Sequence, residues 1–160
     1  MKFYIDLTKE NGCVGILFTH RENEAVYVGT TIHTEDAKLR DHPLAKRYAE
    51  KCDFHFFFDG EELPKLYTVP GVEVGGHDSR GGLFVGSYNF SLQKEPMYYI
   101  DREKNCFLIT ENSAELLNMG MEWREKMVLT DAVDVFANRA EAELKYKIWE
   151  WEELLKEGDL

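Results

Sequence analysis

The stretch that decides the fold is "GVEVGGHDSRGGLFVGS", residues 71–87. Residues typical of β-strands stand on both sides of a short polar segment that is rich in glycine. Asp78 and Ser79 can hydrogen-bond backbone N–H groups within a turn, and glycines allow positive φ angles or bulges where a β-carbon would clash. The pattern therefore predicts a hairpin between two strands of a sheet, with four structural turn residues: Gly76, Asp78, Gly81 and Gly82.

Three catalytic or binding interpretations of the same stretch fail on spacing. A phosphate-binding loop runs into a helix and usually ends in Gly-Lys-Ser/Thr, whereas a strand pattern without a lysine follows Gly82. A nucleophile elbow places its serine between a strand and a helix, but Ser79 has strand patterns on both sides. His77 next to Asp78 would need further metal ligands at fixed spacing, and none of the other histidines supplies a matching motif.

The sequence therefore predicts no catalytic residue, no cofactor and no metal site. One alternative stays open, which is a small enzyme or ligand-binding protein that uses a cleft around the glycine-rich loop. Its functional residues would be His77, Asp78 and Arg80.

Charge and length limit the classes of partner. The chain has 160 residues and a net charge of −11, from 19 basic and 30 acidic side chains, and a chain of this size predicts one domain over residues 1–160. An acidic chain without a basic patch is repelled by nucleic acids and by anionic membranes, so neither is expected as a partner. The absence of a signal-peptide pattern and of a long apolar run, with three widely spaced cysteines, predicts a cytoplasmic protein with reduced thiols.

The remaining pattern predicts an α+β fold, with a mixed, largely antiparallel sheet of about six or seven strands covered by helices. Three β-rich runs at the N-terminus predict an antiparallel meander, a helix is expected after Pro43, and the aromatic run Phe54–Phe58 predicts a buried strand. Further strands are expected at 72–74, 82–88, 97–101 and 106–110, with a hairpin turn at 102–105.

Helices are expected to finish the chain. Asn112 or Ser113 can cap one helix, and Glu115 gives it a start like a capping box. A long C-terminal helix is predicted from about residue 131 to residue 157, with apolar residues at steps of three and four. These residues are Val133, Ala137, Ala140, Leu144, Ile148, Trp151 and Leu155.

Two aromatic residues lie on the other side of that predicted helix. Tyr146 and Trp149 are displaced from the apolar stripe by the rotation of 100° per residue, and glutamates flank them. Aromatic anchors within an acidic rim are typical of protein interfaces. The interface candidates are Tyr146, Trp149, Glu143, Glu150 and Glu153. The alternative is that both aromatic rings are buried against the sheet, as aromatic residues commonly are.

The segments "VEVGGHDSRGGLFVGSYNF" and "PMYYIDREKNCFLITENSAELL", between residues 72 and 117, resemble the central stretch of the SUKH superfamily. This superfamily includes regulators of fungal cell-wall glucan synthesis and many bacterial immunity proteins. The matching positions are Gly76, Asp78, Gly81, Gly82, Tyr98, Tyr99, Ile100, Asp101, Glu103, Ser113, Glu115, Leu116 and Leu117. Members of the family usually begin with helices and carry an Asn-Gly-Gly motif after a Leu-Pro-x-x-Tyr segment, whereas this chain begins with strand patterns and has "ELPKLY" directly before the turn.

The resemblance implies a single α+β domain that binds another protein, without catalysis or cofactor, in the cytosol. Many such proteins are the antidote to a toxin. A toxin that attacks nucleic acid must be basic, and an acidic inhibitor would attract it by long-range electrostatics. We therefore expect a non-enzymatic, protein-binding immunity protein whose partner is a basic toxin.

Overall fold

The computed structural model describes residues 2–6, 8, 24–87, 95–150 and 153, and within them the chain has an α+β fold. The strands are β1 (Lys2–Asp6), β2 (Glu24–Val28), β3 (Thr30–Ile32), β4 (Thr34–Glu35), β5 (His55–Phe58), β6 (Tyr67–Val69), β7 (Val72–His77), β8 (Leu83–Ser87), β9 (Met97–Ile100), β10 (Cys106–Thr110), β11 (Val128–Thr130), β12 (Asp134–Phe136) and β13 (Ile148–Trp149). The α-helices are α1 (Pro43–Cys52), α2 (Leu116–Met119), α3 (Trp123–Lys126) and α4 (Arg139–Glu143). Short 3₁₀ helices lie at Ala37–Leu39, Ser113–Glu115 and Gly120–Glu122.

Among the described residues, the larger sheet has eight strands, and it confirms the prediction of a mixed, largely antiparallel sheet. Its order is β11-β10-β9-β8-β7-β5-β4, and β3 also pairs with β7. The pairs from β11 to β5 are antiparallel, while β3–β7 and β4–β5 are parallel. The hairpins predicted at 78–82 and 102–105 join β7 to β8 and β9 to β10.

Short helices cover one face of this sheet and bury an aromatic cluster. Trp123 in α3 is fully buried, and its indole N–H donates to the Cys52 carbonyl at the end of α1 over 2.7 Å. Phe84 and Tyr99, on neighbouring strands, contact the same indole at ring centroid distances of 4.9 and 5.1 Å. The helix expected after Pro43 is α1, which begins at Pro43 itself, and Asn112 caps the turn before α2 by accepting the N–H of Ala114.

The predicted N-terminal antiparallel meander is wrong. Strands β1 and β2 pair in parallel, in a second sheet of order β13-β1-β2, and β3 joins the larger sheet instead. Strand β1 therefore lies between two parallel neighbours, which bury Phe3 and Ile5. The strand predicted at 13–19 lies outside the described residues.

The predicted long C-terminal helix is also wrong. Residues 131–150 form β12, α4 and β13, because neighbouring strands β6 and β1 supply the backbone hydrogen bonds. Asn138 starts a new helix in the middle of the predicted one, where its side chain accepts the Glu141 N–H over 2.9 Å. Leu144, on the predicted apolar stripe, is 89% exposed, and the stripe residues Trp151 and Leu155 lie outside the described residues.

Candidate functional site

The glycine-rich stretch is a closed hairpin turn, as predicted. Asp78 accepts the backbone N–H groups of Arg80 and Gly82 on one carboxylate oxygen, at 3.0 and 2.7 Å. Gly81 has the positive φ of 83°, and a register shift lies between Val74 and Gly76. Gly81 thus occupies the expected left-handed position, and Gly76 lies at the expected bulge.

Gly82 has a different role from the predicted one, because its φ is not positive. A β-carbon at Gly82 would overlap the hydroxyl group of Tyr99, so this glycine makes room for a side chain from β9. That hydroxyl donates to the second oxygen of Asp78 over 2.5 Å. The glycine therefore brings strand β9 into contact with the turn.

The Asp78 carboxylate is fully buried and accepts hydrogen bonds from four groups. Its second oxygen also accepts from Nη1 of Arg124 over 3.0 Å, in addition to the Tyr99 hydroxyl. Burial alone would raise the pKa of Asp78, but the hydrogen bonds from Tyr99, Gly82 and Arg124 outweigh it and lower that pKa below its usual value. Burial and the same carboxylate raise the pKa of Tyr99 to about 12.

Arg124 joins the turn to helix α1. Its Nη2 lies 3.1 Å from Asp53, which ends α1 in a left-handed conformation with a φ of 54°. Its guanidinium group stacks over the Trp123 ring at 4.5 Å. One carboxylate oxygen of Asp53 also accepts the backbone N–H and the hydroxyl of Ser79, at 3.0 and 2.7 Å.

The residues Asp53, Tyr99, Asp78, Arg124 and Ser79 form what we call the turn network. Asp78, Ser79 and Tyr99 are identifiable from the sequence pattern or the family resemblance, whereas Asp53 and Arg124 carry no local signal. Arg124 is an arginine next to a tryptophan in a short helix, and Asp53 simply follows a helix. Only the tertiary fold brings these two residues to the turn.

The hydrogen bonds of the turn network are not those of a nucleophilic serine. The hydroxyl of Ser79 donates to Asp53, and the other oxygen of Asp53 binds Nε2 of His55 over 2.8 Å. A nucleophilic serine donates to the base that activates it, which is normally an imidazole. The carboxylate between Ser79 and His55 therefore holds both groups in place.

A cleft of about 410 Å³ opens beside the turn, and it corresponds to the alternative functional site. Among the three residues predicted for that alternative, only His77 lines the cleft. Asp78 is buried in the turn network, and Arg80 is exposed. The remaining lining residues are Phe57, Glu61, Glu62, Leu63, Pro64, Gly81, Gly82 and Leu83.

A second buried carboxylate, Asp6, lies at the end of β1 in the smaller sheet. Asp6 accepts the Tyr67 hydroxyl over 2.8 Å and Nη1 of Arg139 over 3.4 Å on one oxygen, and the Thr8 N–H over 2.8 Å on the other. Burial and this carboxylate raise the pKa of Tyr67. The residues Asp6, Thr8, Tyr67 and Arg139 form what we call the Asp6 network.

Two of the interface candidates bind the arginine of this second network. The Arg139 guanidinium forms ion pairs with Glu143 and Glu150, whose side chains are 50% and 39% exposed. Glu153 accepts from the Lys147 ammonium group over 2.7 Å and from the Glu150 N–H over 3.1 Å. The three glutamates predicted for an interface thus lie together at one edge of the smaller sheet.

The two aromatic candidates are half-buried in the same region. Trp149 packs edge-on against Phe3, with ring centroids 5.2 Å apart. Tyr146 contacts Tyr4 at 4.8 Å, and its hydroxyl donates to Asp134. Both rings therefore stabilise the smaller sheet and leave only part of their surface to solvent.

The two cysteines within the described residues are shielded from solvent. Cys52 and Cys106 are free and buried, and burial raises the pKa of the Cys106 thiol to about 11, which keeps it protonated at neutral pH. Within the described ranges, no three His, Cys, Asp or Glu side chains cluster as ligands for a metal ion. In the same part of the chain, no helix has the length and apolar character needed to cross a membrane.

Comparison with known proteins gives no match to any family model, curated protein or solved structure.

Proposed function

We propose that this chain is a protein-binding module without catalytic activity, and that it acts as an immunity protein against a basic toxin. The observation that carries this proposal is the use of polar groups in the turn network. In the part of the chain that most resembles a catalytic loop, the Asp78 carboxylate makes only internal contacts. This favours the SUKH-like interpretation, in which the turn is structural, over an active-site loop.

The bonding of Asp78 and Arg124 supports a structural turn. The buried carboxylate already accepts hydrogen bonds from four groups, and the guanidinium pairs with two carboxylates. A substrate at this site would have to displace bonds between buried charged groups, which costs several kcal/mol. A catalytic carboxylate or guanidinium group is normally within hydrogen-bond reach of the substrate, which the internal bonds of Asp78 and Arg124 prevent.

The charge of the chain supports a basic partner. A net charge of −11 attracts a basic protein and increases the rate at which the two meet. The three interface glutamates contact two cations, Arg139 and Lys147, so this group keeps one excess negative charge. Beside them Trp149 offers a partly exposed ring, the type of residue that anchors protein interfaces.

Affinity capture followed by kinetics tests the proposal. The immobilised chain is exposed to an extract of its source organism, and a captured protein is identified, purified and assayed for its own activity. We expect a basic protein that the chain inhibits, with an association rate that falls as salt rises from about 50 mM to about 500 mM. Recovery of no inhibited partner, or an association rate that ignores salt, would contradict the proposal.

Charge-reversal variants locate the binding face. Glu153→Lys should slow association with the captured protein, whereas the matched Glu122→Lys change, at an exposed helical position, should slow it less. Trp149→Ala should accelerate dissociation, because a lost anchor mainly changes the off-rate. Thermal unfolding of each variant separates loss of binding from loss of the Phe3 contact.

The cleft beside the turn supports a second candidate, a small ligand-binding protein or enzyme. Its volume of about 410 Å³ lies within the range of small-molecule sites, and His77 with Glu61 and Glu62 gives it polar groups. A metabolite that raises the melting temperature of the wild-type chain but not of His77→Ala would support this candidate. Under the immunity proposal no metabolite does so, and His77→Ala costs less than about 1 kcal/mol of stability.

A further inference from the structure

Strand β11 forms an apolar, solvent-exposed edge of the larger sheet. Val128 and Leu129 are 64% and 66% exposed, although they stand next to each other in a strand and point to opposite faces. Within the described residues, no strand pairs with the outer side of β11. An exposed apolar edge is a template for strand pairing, which most proteins block.

The opposite edge of the same sheet is blocked in this way. Strand β4 has only two residues, Thr34 and Glu35, and both side chains form hydrogen bonds, to Asp59 and His33 respectively. Asp36 follows directly. Short edge strands with polar and charged side chains resist pairing with another chain. The edge at β4 is therefore protected, whereas the apolar edge at β11 is open to strand pairing.

The hydrogen-bond alternation identifies which backbone groups of β11 face outward. The Asp101 N–H donates to the Asn105 carbonyl in the β9–β10 hairpin, so the next hydrogen-bonded pair along that ladder is Tyr99 with Phe107. Phe107 thus points its backbone groups towards β9. The residue opposite it on β11 is Leu129, whose N–H and carbonyl consequently point away from the sheet.

We propose that β11 pairs with β11 of a second copy of this chain, antiparallel, across a two-fold axis at Leu129. A two-fold axis perpendicular to a sheet places a residue opposite itself, and Leu129 presents both a donor and an acceptor for that pair. Its side chain then faces Leu129 of the second copy, and Val128 faces Thr130. The pairing joins two sheets into one continuous sheet.

A backbone bond of Met127 disfavours the neighbouring register centred on Val128. With the axis at Val128 instead, Met127 would have to donate its N–H to the second copy, but that N–H already donates to Trp123 over 3.0 Å. With the axis at Leu129, the central pair needs only outward groups of Leu129 itself. The central Leu129 pair therefore keeps both of its hydrogen bonds, whereas each Met127–Leu129 pair in the Val128 register loses one.

The charges that flank β11 favour antiparallel pairing of identical strands. Residues 127–130 carry no charge, Lys126 precedes them and Asp131 follows them. An antiparallel copy brings the Lys126 end of each strand near the Asp131 end of the other, whereas a parallel copy would align like charges. Repulsion between two chains of charge −11 opposes the dimer over long range, and salt screens it.

Sedimentation equilibrium of the full chain tests the proposal. The wild type should be a concentration-dependent dimer that tightens as salt rises, which is the opposite of the salt response expected for the basic toxin. Leu129→Lys should weaken the dimer by about tenfold or more, because two ammonium groups would meet on the axis. The matched control is Leu144→Lys, at a site that is 89% exposed and outside the strand, and it should leave the dimer intact.

A second variant tests the backbone pairing directly. Leu129→Pro removes only an outward N–H, so circular dichroism should show a folded chain and sedimentation should show a monomer. A wild type that is monomeric at every concentration and salt, or a Leu129→Lys chain that dimerises like the wild type, overturns the proposal. Neither result bears on toxin binding, which is measured with a different protein.

Discussion

Two buried carboxylates in this chain have the same types of hydrogen-bond partner but lie in different surroundings. The two sets are Asp78 with Tyr99 and Arg124, and Asp6 with Tyr67 and Arg139. In each set one oxygen accepts a backbone N–H from the following residues, and the other accepts a tyrosine hydroxyl and an arginine Nη1. The two sets differ in the other carboxylates that each arginine binds.

The arginines bind carboxylates of unequal exposure. Arg124 is 14% exposed and pairs with Asp53, which is 16% exposed, whereas Arg139 is 22% exposed and pairs with Glu143 and Glu150, which are half-exposed. Water screens the second set and can replace a lost partner there. The same three residue types should therefore contribute more stability in the turn network than in the Asp6 network.

Removal of each arginine gives the largest expected effect. Arg124→Met should lower the free energy of unfolding by about 3–5 kcal/mol, because it leaves a fully buried carboxylate without its cation. Arg139→Met should cost less, about 1–2 kcal/mol, since its bond to Asp6 is longer, at 3.4 Å, and its other partners reach water. Urea unfolding of the two variants measures both values, and equal losses would contradict the comparison.

The close packing of the turn network gives the next effect. Gly82→Ala should lower the free energy of unfolding by about 2–3 kcal/mol, because its β-carbon would overlap the Tyr99 hydroxyl and push it from Asp78. Gly60→Ala is the matched control, since Gly60 has a φ of 91° but nothing within 4 Å of the added carbon. It should cost about 1 kcal/mol, from backbone strain alone. Urea midpoints that rank the two variants in the reverse order would show that packing does not dominate the turn.

Acid should remove part of the contribution of Asp78. Its pKa in the folded protein lies below the unfolded value of about 3.9, so the stability that it provides is present above that pH and is lost as pH falls towards the folded pKa. The difference in unfolding free energy between wild type and Asp78→Asn should therefore shrink between about pH 5 and pH 2. Denaturant titrations at several pH values measure it, and a difference that stays constant would sink the explanation.

The smallest effect belongs to the exposed end of the Asp6 network. Glu143→Gln removes a charge that is 50% exposed and bonded to an arginine with other partners, so it should change stability by less than about 1 kcal/mol. Its thermal midpoint should move towards that of the wild type when salt is added to both, because salt screens the pair. A loss as large as that of Arg139→Met would mean that the exposed pair, and not Asp6, holds the arginine.

The turn and its strands could be predicted because their signals are local. Glycine, aspartate and serine between alternating apolar residues specify a hairpin, and the turn forms around Asp78 as expected. Its partner Arg124 could not be predicted, because it lies 46 residues further along the chain. The larger sheet as a whole was predictable in type, since most of its pairings join strands that follow one another in sequence.

The C-terminal region was not predictable from its period. Apolar residues at steps of three and four also suit short strands and a helix that face different neighbours, and here Val133 and Ile148 pack in different core clusters. Pairing of β12 with β6 and of β13 with β1 then overrides the helical pattern. The parallel pairing of β1 with β2 was missed for a different reason. Two parallel neighbours are not joined by a hairpin turn, so the sequence contains no local signal for their pairing.

The position of β1 between β2 and β13 sets an order of events on the ribosome. Strand β1 precedes all other described strands, yet one of its two neighbours, β13, is the last of them to be made, and the bond from Arg139 to Asp6 spans 133 residues. Strands β3 to β11 of the larger sheet are complete earlier. A nascent chain therefore carries Phe3 and Ile5 without their full cover until β13 has been made, and until then these two apolar side chains can contact other molecules.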